Sequence, residues 1–304
     1  MFKKLIAAFV LLFWLPASVA ATSSQSVVKV GEELPRNIMA LYDGKVEGDP
    51  RYTSTHRFLE MPLNHLGFVV QYHDVNEPMP ELHESIRGVV VWFTSETVLE
   101  NPDDMFSWLH KALDKKKKLL VMGGLGVSEK FRQDDSRMKG LNKLMHRIGV
   151  HDRNSWVNVV HNIKISDYTP EMVNFEREFE GEIRPYIATN IVGSNAKSHL
   201  RLRAPQYAEP SADLIITSAN GGYVAEDYAV FQLYDENDEM VLRQWFINPF
   251  QFLREVFQDE YLPKPDTTTL FGKRIFYSHL DGDGWNNLSQ VCLLYTSPSP
   301  RDRG

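Results

Sequence analysis

The apolar positions along this chain change period several times, and each change marks an element. Asn37–Tyr42 (Asn-Ile-Met-Ala-Leu-Tyr) is a compact apolar run that opens onto Asp43-Gly44, a strand followed by a turn. From Tyr52 to Leu66, residues His56, Leu59, Leu63 and Leu66 fall on one face at helical spacing, with Pro62 as the point where such a helix kinks or divides. Gly67–Tyr72 is the next strand, ending in His73-Asp74, and Pro78 and Pro80 mark the loop after it. Gly88–Phe93 is continuously apolar, as a strand buried on both faces should be. Asp103–Lys115 is amphipathic, with Met105, Trp108, Leu109 and Leu113 inward and Asn101-Pro102 as its start. Leu119–Met122 is a further buried strand running into Gly123-Gly124-Leu125-Gly126, and a helix is expected over Glu129–Ile148.

Strands alternating with helices predict an α/β fold: a doubly wound, mostly parallel sheet, flavodoxin-like or Rossmann-like, over about residues 21–262. Residues 152–202 depart from that rhythm. Trp156–Val160, Ile163–Ile165 and Ile183–Val192 alternate and read as a β-rich insertion. Asp213–Thr217, Gly222–Ala225 and Ala229–Leu233 return to the sheet, and Asn248–Phe257 is a capped closing helix. A Pro-Thr stretch at 263–272 suits a stiff linker before a second domain starting at 273. Val27–Val30 reads as a short lead-in strand.

Composition narrows the classes. The 304 residues carry a net charge of −7, which argues against a phosphate-backbone partner, so no nucleic acid is expected. The one basic run, Lys115–Lys118, reads as a solvated helix end. A single cysteine, Cys292, excludes a disulfide framework. Met1–Ala20 has the form of a cleavable signal peptide: Lys3-Lys4, then an apolar run Leu5–Leu15 too short to span a bilayer comfortably, then Ser18-Val19-Ala20. The mature chain is therefore expected in the periplasm or outside the cell, with no stable membrane span.

The richest candidate chemistry lies near the end. Arg274–Tyr277 reads as a strand running into Ser278-His279-Leu280-Asp281-Gly282-Asp283-Gly284. Two carboxylates at i, i+2 beside a histidine fit a divalent-metal and general-base site, and the same residues fit an Asp-Gly hairpin turn. A calcium loop fails, because Trp285 and Asn286 stand where an Asp or Asn and a Gly are needed.

Phe276–Gly284 resembles the first motif of the polysaccharide deacetylase domain in Pel-type exopolysaccharide deacetylases, distant relatives of the NodB-homology carbohydrate esterases. Arg36–Asp43, Arg57–Leu63 and Gly67–Asp74 are similar to the Rossmann-like domain preceding it, so the likeness covers roughly Arg36 to Ser289. The resemblance implies Asp281 as catalytic base, Asp283 as ligand of a divalent metal such as zinc, and His279 as an accessory group. It implies an N-acetylated biofilm exopolysaccharide as substrate, with export proteins as further partners. Gly282 separates the two aspartates, a departure from the ordinary NodB pattern that fits only the Pel-like branch. The His-x-x-x-His pair of the family is absent: residues 290–304 look like translated sequencing-adapter read-through, the alternative being a Pro/Ser-rich tail. A truncated, inactive fragment is expected, with no firmly bound cofactor.

Elsewhere the signals are weaker. Gly123-Gly124-Leu125-Gly126 lacks the third glycine of a dinucleotide fingerprint, Glu129 standing in its place. It sits where amidotransferase-like and hydrolase folds carry a Cys or Ser nucleophile, but Leu125 has no nucleophilic atom. His56, His73, His151 and His161 lack metal-ligand spacing, and Glu226-Asp227 and Asp235–Glu239 read as solvated turns. Tyr42, Trp92 and Trp245 could form a sugar-stacking platform or pack in the core. The rival to the esterase is a non-catalytic module that binds polysaccharide or docks a partner in an export complex.

Overall fold

The computed structural model describes residues 34–158, 161–179, 183–235, 240–259, 262–264, 269–270 and 273–274. Asn37–Tyr42 is strand β1, buried along its middle. Asp43 caps a single turn, α1 (Gly44–Glu47), by accepting the N–H of Lys45. The helix expected over Tyr52–Leu66 is divided into a 3₁₀ turn at Pro50–Tyr52, a π-helical turn at Thr55–Leu59 and α2 (Glu60–His65). Pro62 explains the division. It has no N–H to continue an α-ladder, so the chain widens by one residue, Glu60 N–H reaching the Thr55 carbonyl. The proline then falls in the first turn of α2, where no donor is needed.

Next come β2 (Val69–Asp74), β3 (Ile86–Val91), α3 (Asp103–Asp114) and β4 (Lys118–Met122). The helix expected over Glu129–Ile148 breaks into α4 (Glu129–Arg132) and α5 (Asp135–Arg147). Asp134 accepts the N–H groups of Ser136 and Arg137 and restarts the helix. The rest is mostly strand: β5 (Val150–Val157), β6 (Lys164–Tyr168), β7 (Tyr186–Ile191), β8 (Ala196–Arg203), β9 (Ser211–Ser218), β10 (Gly221–Val224), β11 (Val230–Tyr234) and β12 (Met240–Trp245). Helix α6 (Pro249–Phe257) is capped by Asn248, which accepts the N–H of Gln251 at 3.1 Å. Thr269–Leu270 and Lys273–Arg274 form an antiparallel pair, β13 and β14, in and just after the stretch expected as a linker.

Eight strands make one mixed sheet in the order β2-β1-β3-β4-β10-β9-β8-β6. The first five run parallel, and the last three join by antiparallel pairing. This is an α/β fold with a mostly parallel central region. Within residues 152–202, β6 and β8 belong to the main sheet. Only β5 and β7 form a separate ladder, held over β9 where Ile191 N–H donates to the Asp213 carboxylate at 3.0 Å. The Lys115–Lys118 run is not simply a solvated helix end. Lys115 donates to the Leu82 carbonyl at 3.1 Å, and buried Lys117 donates to the Glu84 carbonyl at 3.2 Å.

Helix α6 packs against α2 and lies on β4, β9 and β10, while α3 packs against α5. Two strand glycines let α6 approach. A Cβ at Gly88 would stand 2.7 Å from the Phe257 ring, and one at Gly222 would stand 2.7 Å from Val256 and 3.0 Å from the Ile216 carbonyl.

A polar cluster sits beneath the same helix. His199 on β8 is fully buried, its Nε2 2.7 Å from the Thr217 hydroxyl and 3.4 Å from Glu255 of α6, its Nδ1 3.2 Å from the Thr169 hydroxyl. Thr217 in turn donates to Glu255 at 3.1 Å. Thr217 and Glu255 meet the same ring nitrogen, so this is not a relay in which a carboxylate orients one side of an imidazole while the other serves a nucleophile. Burial pushes the His199 imidazole down to about 4, Glu255 pulling the other way.

Three outcomes follow from these environments. Gly222→Ala should lower stability in urea unfolding by about 1–3 kcal/mol, since backbone and side chain both crowd the new methyl. Gly140→Ala, on α5 with open space around it, should raise stability by up to about 1 kcal/mol. For His199, the unfolded chain takes up a proton below about pH 6.5 that the folded form refuses until about pH 4. Stability should therefore fall by about 3 kcal/mol as pH drops through that window. A His199→Gln variant should lose this slope when unfolding is measured across the same range.

Candidate functional site

The carboxyl ends of parallel strands are where α/β sheets open to ligands, and a cleft of about 250 Å³ lies there. Its floor comes from the ends of three strands: Trp92 to Ser95 after β3, Met122 and Gly123 at β4, and Ala225 to Asp227 after β10. One wall is the 3₁₀–π segment, with Tyr52, Ser54, Arg57 and Phe58. The other is the β11–β12 hairpin, with Val230, Gln232 and Tyr234.

Aromatic contacts hold the walls in place. Phe58 packs on Trp92 at 5.6 Å between ring centroids and edge-on to Trp245 at 6.2 Å, with the Arg243 guanidinium 5.6 Å from the Phe58 ring. The guanidinium groups of Arg51 and Arg57 each lie 5.8 Å from the Tyr52 ring. Tyr52 and Tyr234 still expose about half of their surface, at 55% and 50%. The Tyr234 hydroxyl donates to the Gln232 side chain at 2.8 Å.

Glu226 is the group whose protonation is most open to change in this cleft. Glu226 is exposed at the turn, yet partial desolvation beside the strand ends raises its carboxyl above the ordinary range, Asp227 adding to the effect and Arg132 opposing it. Asp227 follows in a left-handed backbone conformation, φ 63°, and its carboxylate lies 3.8 Å from Arg184. Beside the floor is a small space of about 40 Å³, lined by Leu125, Arg132, Asp152, Tyr223 and Glu226 among others, with room for a water molecule. Arg132 and Asp152 form a 3.0 Å ion pair on its wall.

The Gly123–Gly126 turn is not a nucleophile elbow. Its left-handed positions are Gly123 (φ 75°) and Gly126 (φ 65°), not the residue between glycines, and Leu125 is buried in the core. Gly126 is tied to the neighbouring loop, its carbonyl accepting Leu99 N–H at 2.8 Å. The chain then needs Ser128 as a cap before α4 begins, so the turn is not fused to a helix N-terminus. Among the described residues, those lining the cleft include no histidine, lysine or cysteine.

The residues singled out in the sequence scatter. Asp281, Asp283 and His279 lie outside the described residues, as do Met1–Ala20 and the stretch 290–304. Asp74 meets the Gly44 N–H at 3.0 Å and Asn76, whose hydrogen bonds outweigh burial and leave its carboxyl below the ordinary value. Nearby Glu47 is buried and its carboxyl raised by that burial. Even so, among the described residues no group of three or more His, Cys, Asp or Glu is arranged to hold a metal ion. His56 pairs with Glu60, four residues along the chain. Of the three aromatics, Trp92 lines the cleft, Trp245 backs Phe58, and Tyr42 packs on Tyr72 instead. Glu226 and Asp227 form the exposed turn the sequence predicts, and that turn also borders the cleft. Their position directly after an apolar Gly-Gly-Tyr-Val strand was the available signal.

No protein-family model matches the chain, and no curated protein does. Among solved structures, a glutamine amidotransferase from Methylobacillus flagellatus is similar at 16% identity with a TM-score of 0.32. The match covers 61% of this chain and 66%, just under two thirds, of that one. These findings correct the resemblance drawn from the sequence. No family model and no curated protein supports a Pel-type polysaccharide deacetylase, its activity or the biofilm role inferred with it. That assignment is withdrawn.

Proposed function

We propose that residues 35–259 form a binding domain for a small polyhydroxylated ligand of the sugar class, held in the cleft at the ends of β3, β4 and β10. The observation that carries this reading is the cleft's division of labour. Tyr52 and Tyr234 at the walls and Trp92 at the floor offer flat apolar faces, while Thr94, Ser95, Glu226, Asp227 and Gln232 offer donors and acceptors within. A sugar ring needs both, an apolar face to stack and hydroxyls to pair. The volume of about 250 Å³ suits one or two rings rather than a larger ligand.

Binding without turnover is supported by Leu125, buried in the core at the place of a nucleophile. The two helix pairs, α2 with α6 and α3 with α5, support the doubly wound arrangement in which ligands bind at this edge. Met1–Ala20, with the form of a signal peptide, supports a location outside the cytoplasm.

Titration of the protein with neutral mono- and oligosaccharides, followed by calorimetry and tryptophan fluorescence, tests this. One saturable site is expected, with Trp92→Ala weakening it by about tenfold, or ~1.4 kcal/mol. Glu226→Gln should remove the pH dependence of binding that the raised carboxyl imparts in mildly acidic solution. If no sugar changes either signal at millimolar concentration, the proposal fails.

A further inference from the structure

A second cluster lies away from the cleft, where α5 hands the chain to β5 through Gly149. His146, in the last turn of α5, and His151, second residue of β5, face one another with Nε2 and Nδ1 2.9 Å apart. Their rings lie 5.2 Å apart between centroids. The fold fixes this approach by an independent device one helical turn earlier. Asn142 donates to the Asp152 carbonyl at 2.8 Å and accepts the Asp152 N–H at 2.8 Å, a two-point clamp between the same helix and strand. The two imidazoles are thus presented by rigid elements at a separation close to that of adjacent nitrogens around one metal ion.

We propose that His146 and His151 are a two-imidazole chelate for a divalent transition-metal ion of the zinc, nickel and copper group, with solvent completing the coordination. Imidazole nitrogen is the ligand these ions favour over magnesium or calcium. An open cavity of about 620 Å³ beside His151 admits the solvent ligands. Nearby cationic groups are already paired: Arg147 with Asp114 at 2.8 Å, and Arg153 with Glu209 at 2.8 Å. The ion takes the place of the hydrogen shared by the two rings. The ring that donated it moves its proton to its other nitrogen, so no ionisation is needed at neutral pH.

The experiment is calorimetric titration of tag-free full-length chain, in a Cys292→Ser background to silence the thiol, with zinc and separately with nickel. One site per chain is expected. His146→Ala and His151→Ala should each weaken it by roughly tenfold or more. His110→Ala, on neighbouring α3 and outside the pair, should leave it unchanged. Both histidines are at the surface, so circular dichroism should show every variant folded. As a second reading, zinc should raise the unfolding midpoint of the parent protein and leave that of either single variant where it was. Uptake undiminished in both single variants, or no uptake up to millimolar metal, overturns the proposal.

Discussion

The central strands of this fold have no polar face. Val89, Val90 and Val91 on β3 and Leu119–Met122 on β4 are all at most 1% exposed, so both sides of the sheet must be covered. That requirement sets the arrangement of the rest. Helices α2 and α6 pair with each other, as do α3 and α5; α2 lies in the crossover from β1 to β2, and α3 in the one from β3 to β4. Because the parallel strands all point the same way, their carboxyl ends gather along one edge. The cleft lies at that edge because the loops leaving β3, β4 and β10 must diverge there.

Where burial dictates sequence, the sequence was legible. β1, β3, β4, α3 and α6 were visible because their apolar residues keep one period from end to end. Asn101-Pro102 and Asn248-Pro249 also announced their helices. Elements whose boundaries depend on a single polar contact were not visible. Asp134 divides one apolar stripe into two helices by capping, and apolar spacing carries no trace of that. Strand β8, Ala-Lys-Ser-His-Leu-Arg-Leu-Arg, escaped for a different reason. It places a histidine at the most buried position of a charged segment, and only Thr217, Thr169 and Glu255, brought in from elsewhere, make that position tolerable.

The candidate site was legible in part only. Trp92 was marked as an aromatic at a strand end. Its companions come from segments far apart in the chain, joined only when β10 docks beside β4. The short acidic motif near the end stands out because its residues are adjacent in sequence. A cleft assembled by topology leaves no comparable local signature, and Glu226-Asp227 looks like any charged turn until the sheet order is known.

The placement of β10 has a consequence for biosynthesis. Strand β4 emerges from the ribosome long before Gly221–Val224, the segment that pairs with its free side, so in the growing chain one flank of an apolar parallel sheet stays open while β5 to β9 are made. Such a flank can recruit a strand from another molecule. Its closure depends on contacts distant in sequence, which form slowly. Glycines at 221 and 222 suit this late arrival: with no side chains to clear, the last strand can slide into a space whose walls are already built.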